Sequence, residues 1–472
     1  MLKISVHINQ LRMIFMEPVP FRIAVLLTAC HLLICLSSQP LKAQYISKGG
    51  NDATAPLHLL KPDYDTPYGE TKPEDVKKTL DKVYRYLDAA TPVALIDKST
   101  HKVVDLKQAN ENSIFQPGDF RLISYEWGVT YMGMLEVALA TDDQKYKDYT
   151  IKRLDFIGSV AEQYKKRLRQ HKDATTPVRS VLKPHALDDA GSMAAAMIKA
   201  LDAGAQTAHI RPLVENYVDY ILHKEFRLQD GTLARNRPLP NTLWLDDLYM
   251  SLPALAQMGK LTGDNRYFEE ALKQYKQFAE RMFNTEKGLY MHGWVQDMDP
   301  HPQFHWARAN GWALLTKVEL LDVLSVDFQG RAVVLENLHR HVAGLAERQD
   351  KTGFWHQLLD RNDSYLETSA TAIYAYCIAR AINKGWLDAK AYGPMALLAW
   401  NAVNTQVTEQ GQVTGTCVGT GMGFDPAFYY YRPISNFAAH GYGPVLLAGA
   451  EIYRLLQEHP FEINDSAVQM LK

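Results

Sequence analysis

From residue 74 to residue 456 apolar residues recur at three- and four-residue spacing, with few of the alternating runs a half-buried strand needs. The spacing predicts helices near 74–90, 125–141, 145–169, 187–203, 210–224, 244–262, 265–283, 306–325, 330–348, 367–384, 387–404 and 440–456. Gly, Pro and Asp punctuate them, as in Thr262-Gly263-Asp264, Lys287-Gly288 and Gly385. Neighbouring helices differ in kind. One set, such as Asn265–Phe283, is amphipathic and charged along one face, as an outer helix should be. The other set opens with polar or aromatic residues and then runs apolar and small: Tyr125-Glu126-Trp127-Gly128, Leu187-Asp188-Asp189-Ala190-Gly191, Trp244-Leu245-Asp246-Asp247, Trp306-Ala307-Arg308, Glu367-Thr368-Ser369 and His440-Gly441-Tyr442. With Tyr125, Asp188, Asp246, Trp306, Glu367 and His440 as markers, the successive gaps are 63, 58, 60, 61 and 73 residues. A two-helix unit with its loops has that period. Helices that are apolar all round belong inside, so the pattern predicts an all-α fold of six inner and six outer helices, an (α/α)6 barrel. If the hairpins alternate up and down, the six inner N-termini meet at one mouth with the polar residues just named, and their dipoles favour an anion there.

Composition sharpens this picture at a few points. A chain of 472 residues would suggest about three domains by length alone, but the repeat argues for one catalytic domain over 74–472. With 47% hydrophobic residues and only 4 Cys, a disordered chain and a disulfide-stapled miniprotein are both excluded. The formal charge of −2 speaks against a nucleic-acid binder, which needs a basic excess, so an anionic ligand must be met by a few local cations. Eight Trp and 25 Tyr supply flat faces suited to sugar rings. At the N-terminus, Lys3, Arg12 and Arg22 precede an apolar run from Ile23 to Leu36, and Leu41-Lys42-Ala43 follows. This reads as a signal peptide over 1–43, with an extended segment over 44–73 and a periplasmic or secreted mature protein. The run falls short of the roughly 20 residues that span a bilayer, so no stable membrane insertion is expected. Leu27-Thr28-Ala29-Cys30 has the form of a lipoprotein box, but apolar residues continue beyond Cys30, which disfavours lipidation.

The candidate chemistry lies at the openings of the inner helices. Asp246 and Asp247 are helix-start acids that would serve as caps in an ordinary protein. Enclosed by Trp244, Leu245, Leu248 and Tyr249, a carboxyl here loses hydration, its pKa rises, and it becomes a candidate general acid. The two side chains point about 100° apart on a helix, so one of them faces the substrate, and periodicity does not choose which. Asp188 and Asp189 repeat the arrangement one hairpin earlier. His292 sits in Tyr290-Met291-His292-Gly293-Trp294, on the path into the next inner helix. Arg308, flanked by Trp306 and Trp312, offers a planar fork for a carboxylate; its structural alternative is a buried pair with one of the aspartates. Neither HExxH nor paired CxxC spacing occurs, so no metal is expected, and Cys417–Gly423 reads as a loop rather than a nucleotide site.

Together these motifs resemble the unsaturated rhamnogalacturonyl hydrolases, glycoside hydrolase family 105, with the unsaturated glucuronyl hydrolases as relatives. The resemblance runs from about Tyr125 to His440 and is most specific in Trp244–Met250, Tyr290–Trp294 and Trp306–Trp312. The family pattern has W-x-D, then a residue often Thr, then L-F-M, so Asp247 is a departure. By that match Asp246 takes the general acid/base place, and Leu187–Gly191 implies a second acid, Asp189. The implied substrate wall comprises Tyr125, Trp127, Asp188, Trp244, His292, Trp306, Arg308, Trp312 and His440. Arg308 would hold the uronate carboxylate, with Trp306, Trp312 or Tyr125 stacked on the ring. The implied reaction hydrates the C4=C5 bond of a 4,5-unsaturated uronic acid at the non-reducing end of a lyase-generated oligosaccharide, and needs no cofactor. Three rivals share this layout: a polysaccharide lyase with a Tyr or His base, a two-carboxylate glycosidase acting on saturated sugars, and a glycan-binding protein without catalysis.

Overall fold

In the computed structural model, residues 67–170, 175–464 and 467–471 are described. The signal-peptide reading of 1–43, and the extended segment up to 66, lie outside them. Twelve long helices alternate much as the periodicity requires. The outer set is α1 (Pro73–Ala90), α3 (Gln144–Gln170), α6 (Thr207–His223), α8 (Asn265–Met282), α10 (Arg331–Ala346) and α12 (Ala389–Asn404). The inner set is α2 (Tyr125–Thr141), α5 (Leu187–Asp202), α7 (Leu252–Thr262), α9 (Ala307–Val323), α11 (Thr368–Asn383) and α14 (Tyr442–Glu458). Two short helices, α4 (Arg179–Leu182) and α13 (Pro426–Tyr430), complete the list among the described residues.

Burial separates the two sets. Every residue from Ala307 to Leu321 of α9 is buried, as is every residue from Trp127 to Ala138 of α2. Outer α8 buries only a stripe (Phe268, Ala271, Leu272, Gln274, Tyr275, Phe278 and Met282) and exposes its charged face. Packing between inner helices closes a cycle: α2 on α5, α5 on α7, α7 on α9, α9 on α11, α11 on α14, and α14 back on α2. Each outer helix lies against the inner helix before it in the chain, except that α1 seals onto α14, joining the two ends of the ring. Glycines let the inner helices approach where they open. A Cβ on Gly191 of α5 would stand 1.8 Å from the carbonyl oxygen of Met250, and one on Gly128 of α2 would stand 2.4 Å from Ser192 Oγ. Any side chain there would push apart the turns that carry Asp188 and Asp246.

The far end of the ring is polar. Lys199 of α5 meets Glu319 of α9 at 2.7 Å, and Gln257 of α7 reaches the same carboxylate at 3.3 Å. Arg380 of α11 bridges Asp322 of α9 at 2.9 Å and Glu451 of α14 at 2.8 Å, while Arg454 of α14 meets Glu136 of α2 at 3.1 Å. Every inner helix thus contributes to the network, most from its C-terminal half, where cations also meet the negative dipole end.

One expected element takes a different form. The stretch read as a helix over 244–262 begins with strand β4 (Thr242–Trp244) and a 3-10 turn (Leu245–Leu248), and α7 starts only at Leu252, with Pro253 in its first turn. The reason is tertiary: β4 pairs antiparallel with β7 (Gly293–Val295), Trp244 opposite Gly293. Other short strands join the helices: β1 (Leu95–Asp97), β2 (Val103–Val104) and β3 (Ser113–Phe115) in one sheet; β5 (Phe283–Asn284) with β6 (Leu289–Tyr290); β8 (His356–Leu358) with β9 (Arg361–Leu366); and β10 (Phe461–Asn464) with β11 (Ala467–Met470).

Candidate active site at the mouth of the helical ring

The β4–β7 pair sets the first part of the site. It carries Asp246, in the turn after β4, to His292, the residue before β7: His292 Nε2 lies 3.1 Å from Asp246 Oδ2. His292 is fully buried and Asp246 is 14% exposed, so the carboxylate is the member that reaches open space. The other ring nitrogen, Nδ1, lies 2.8 Å from the hydroxyl of Tyr429 on α13. The Tyr429 hydroxyl also donates to the Gly423 carbonyl at 3.2 Å, so the tyrosine fixes the ring of His292 with Nε2 turned to Asp246. Burial pushes the Asp246 carboxyl up, but the His292 hydrogen bond and charge, helped by Arg235, outweigh it, and the carboxyl ends below its ordinary range. This corrects the expectation of a raised pKa: the apolar collar is present, and a buried donor overrides it.

The neighbouring acids are tied together by a residue the sequence reading did not single out. Arg235 donates from Nε to Asp247 Oδ2 at 2.8 Å, and from Nη1 and Nη2 to Asp188 at 3.0 and 2.9 Å. It also pairs through Nη2 with Asp247 Oδ1. Asp247 is fully buried and faces away from the opening, which makes it the structural member of the Asp246-Asp247 pair. Its carboxyl is pushed up to about 7, by burial first, with Asp188 and Glu225 adding to the effect and Arg235 opposing it. The native state therefore holds a proton that the unfolded chain releases. That contribution to stability is full below about pH 4 and is lost as pH rises through about 7. The melting temperature of the wild type, measured against Asp247→Asn, should lose ground across that window and level off above it. A gap that widens with pH would show Asp247 ionised throughout. Trp244 lies beside the cluster, with the guanidinium carbons of Arg235 and Arg237 each 4.6 Å from its ring centre.

Across the mouth, Tyr125 opens α2 and its hydroxyl lies 2.6 Å from His440 Nε2. Glu126 Oε1 is 3.5 Å from the same nitrogen. Burial, then the charge of Arg308, hold His440 well below the ordinary imidazole range, so it is neutral. Burial, with Glu126 adding to it, pushes the Tyr125 phenol well up.

Arg308 departs from its expected role as an open fork. Its side chain is fully buried: Nη1 donates to the Cys417 carbonyl at 2.7 Å and to Ser369 Oγ at 3.2 Å, and Nη2 donates to the Val418 carbonyl at 2.6 Å. Glu367 Oε1 stands 3.8 Å away, so Arg308 is paired with loop carbonyls and a glutamate rather than with an aspartate. The Arg308 Nε, the Trp306 Nε1 and the His440 Nδ1 have no hydrogen-bond partner. Arg308 therefore pins the Cys417–Gly423 loop to the openings of α9 and α11 with its end-on edge, while its Nε is buried without a partner.

Other expected wall residues also sit elsewhere. Asp189 turns away from Asp246: its carboxylate accepts from the His185 backbone N–H at 3.0 Å and pairs with His185 Nδ1 at 2.6 Å, closing the first turn of α5. Of the two acids in that motif, Asp188 is the one that joins the Asp247–Arg235 cluster. Trp127 is buried against Phe120, with ring centres 4.8 Å apart. Trp306 is enclosed between Arg308, 4.6 Å from its ring, and His292, 4.6 Å between ring centres. Trp312 stacks on Tyr249 at 5.0 Å. Because all three Trp are under 2% exposed, sugar stacking at the mouth falls to Tyr125 and the half-buried Trp244. Among the described residues no three His, Cys, Asp or Glu side chains gather as a metal site, and no helix is long and apolar enough to cross a membrane.

Comparison with known proteins follows this geometry. The model of glycosyl hydrolase family 88 matches residues 87–456, a span that holds every site residue named above. The unsaturated rhamnogalacturonyl hydrolase YesR of Bacillus subtilis is 29% identical over 242 residues, 50% of this chain and 68% of that protein. Protein Atu3128 of Agrobacterium fabrum is 34% identical over 229 residues, covering 43% of this chain and 97% of that protein. A crystal structure from Klebsiella pneumoniae, described as a possible member of the GH105 family, superposes with a TM-score of 0.65 at 24% identity, covering 88% of this chain and 99% of that one. At that identity the superposition speaks for the fold. The family match speaks for more: the chain belongs to glycosyl hydrolase family 88 and is a glycoside hydrolase.

Proposed function

We propose that this hydrolase removes a 4,5-unsaturated uronic acid from the non-reducing end of an oligosaccharide, with Asp246 as general acid and base in an (α/α)6 barrel. The observation that carries the reading is the Tyr429–His292–Asp246 chain, which ends on the partly buried Asp246 carboxylate at an aromatic-walled mouth. The likeness to YesR, named as an unsaturated rhamnogalacturonyl hydrolase, supports the substrate class.

In the resting site Asp246 is a carboxylate. A bound uronate brings a second negative charge and expels water, and both effects raise the Asp246 pKa and draw a proton onto it. Asp246 then donates that proton to C4 of the vinyl ether, and oxocarbenium character develops at C5 and the ring oxygen. The regenerated carboxylate takes a proton from water as the water oxygen bonds to C5. The resulting hemiketal opens at the ring oxygen, leaving a hemiacetal at C1 that collapses and releases the next sugar. Asp188, oriented by Arg235, serves as the second carboxylate at the mouth in place of Asp189. Arg308, buried behind the mouth, supplies the positive charge that draws the uronate carboxylate there. A lyase reading would need a base such as Tyr125, and a phenol pushed up by burial is a poor one.

Loss of the unsaturated chromophore from lyase-generated oligosaccharides tests the reading directly; a chromophore gained from saturated polymer would replace it with the lyase. Tyr429→Phe leaves His292 without its hydroxyl partner, at a cost of about 1 kcal/mol, or roughly fivefold in kcat, with KM little changed. A rise in KM of the same size would put Tyr429 in contact with substrate. Export rests on the sequence of residues 1–43, and mass measurement of the mature N-terminus checks it.

A further inference from the structure

Two fully buried titratable side chains, Lys317 and His341, take no part in the reaction. Lys317 lies midway along α9, and His341 faces it from the outer helix α10. Lys317 Nζ is 2.7 Å from His341 Nδ1, and His341 Nε2 is 3.1 Å from Asn310 Oδ1. Asn310 stands about two turns before Lys317 on the same face of α9. There the chain ends on backbone. Asn310 Nδ2 donates to the carbonyls of Tyr290 at 2.9 Å and Trp306 at 3.0 Å, and Oδ1 accepts from the Tyr290 N–H at 2.8 Å. One amide thus staples together the two segments that clasp His292. His292 follows Tyr290 by two residues, its N–H donates to the Phe304 carbonyl at 2.9 Å, and its ring centre is 4.6 Å from that of Trp306.

The direction of each bond follows from the backbone. Two carbonyls at one end of the Asn310 amide and an N–H at the other fix which end is nitrogen. Oδ1 can only accept, so His341 carries its proton on Nε2. Burial, then Lys317, keep that ring neutral, which leaves Nδ1 bare and makes Lys317 the donor to it. The arrangement is costly. Among the described residues no carboxylate pairs with Lys317; it faces the His341 ring, the Tyr290 ring at 4.7 Å and the Cys377 thiol of α11. Burial pushes its amine well below the ordinary range. A methionine would fill the same space without that penalty. A costly polar chain that ends on the clasp of His292 is placed for function rather than for stability.

We propose that Asn310, His341 and Lys317 are positioning residues for the reaction. Asn310 staples β6 to the opening of α9, His341 and Lys317 hold its amide in that orientation, and the staple keeps His292 against Asp246. The inference rests on the hydrolase reading above, and it reaches the reacting group only through His292.

The test compares His341→Leu, which has neither donor nor acceptor, with His341→Gln, which restores both. The readouts are kcat, KM and the pH at which kcat/KM begins to fall, measured on an unsaturated galacturonyl-rhamnose disaccharide or, failing that, an unsaturated glucuronyl disaccharide. When His292 is held less firmly, the burial of Asp246 is less opposed and its carboxyl rises. His341→Leu should therefore move the fall to higher pH and lower kcat about fivefold, the worth of one hydrogen bond, with KM little changed. His341→Gln should return both toward the wild type. Lys317→Met should shift the fall in the same direction, and it decides the matter if His341→Leu does not fold. A lower kcat with an unmoved pH profile marks a structural role alone and overturns the proposal, as does wild-type behaviour in the folded variants. If the wild type consumes neither disaccharide, the hydrolase reading fails instead. The staple is then judged by the nitrogen NMR signals of the His292 imidazole, assigned by their loss in His292→Gln. Signals that move in Lys317→Met uphold it, and signals that stay in place overturn it.

Discussion

Asp246→Asn should lower kcat by about 10²–10⁴-fold and leave KM nearly unchanged, because it keeps the size and the His292 contact of the carboxylate but removes the transferable proton. Asp247→Asn should cost far less turnover, since that side chain is buried behind the mouth and faces Arg235. The pH profiles add a second check. The Asp246 carboxyl lies below its ordinary range in the free enzyme, so the fall of kcat/KM with rising pH should begin at low pH. In the complex the uronate charge raises the same group, so the corresponding fall of kcat should begin at higher pH. Coincident limbs would mean that substrate does not perturb Asp246. Near-normal turnover in Asp246→Asn would move the proton donor elsewhere, with Asp188 the next carboxylate to try.

Much of the ring was legible because helix burial follows a 3.6-residue period that sequence displays directly. The bounds of α2, expected at 125–141, are those found, and α5 and α8 each differ by one residue. The failures share a cause: contacts made over long sequence separations. Residues 244–248 looked helical because Trp, Leu and Asp fit a helix opening, but pairing with β7, some fifty residues on, draws Trp244 into a strand and leaves 245–248 as a 3-10 turn. The same pairing brings Asp246 to His292, so the motif was recognisable while its geometry was not. Arg308 looked like an open fork because nothing local marks the carbonyls of Cys417 and Val418, more than a hundred residues away, as its acceptors. Which of Asp188 and Asp189 meets Arg235 was hidden more locally: a 100° step separates the two, and the back-bond to the His185 N–H takes Asp189. Arg235 carried no periodic signal, since it sits in an irregular segment ending in Pro238 and Pro240. Two arginines just ahead of an Asp-Asp pair were the available hint.

Arg235→Met should be the most damaging change to stability near the site, at about 3–5 kcal/mol, because it strips the cation from a fully buried Asp247 and leaves Asp188 to Arg237 alone. The loss should depend on pH. Without Arg235 the buried carboxyl is driven further up, so it is neutral in mild acid and charged without a partner above neutrality. The melting-temperature deficit should therefore be smaller near pH 5 than near pH 8. Arg235→Met/Asp247→Leu removes the stranded charge together with its partner and should recover much of the stability, as apolar replacement of buried ion pairs often does. Activity separates the two duties of Arg235. If it orients Asp188 for substrate, the stable double variant stays slow, with the loss in kcat. If it serves only to neutralise Asp247, turnover returns with stability, and Asp188 loses its claim to a part in the reaction.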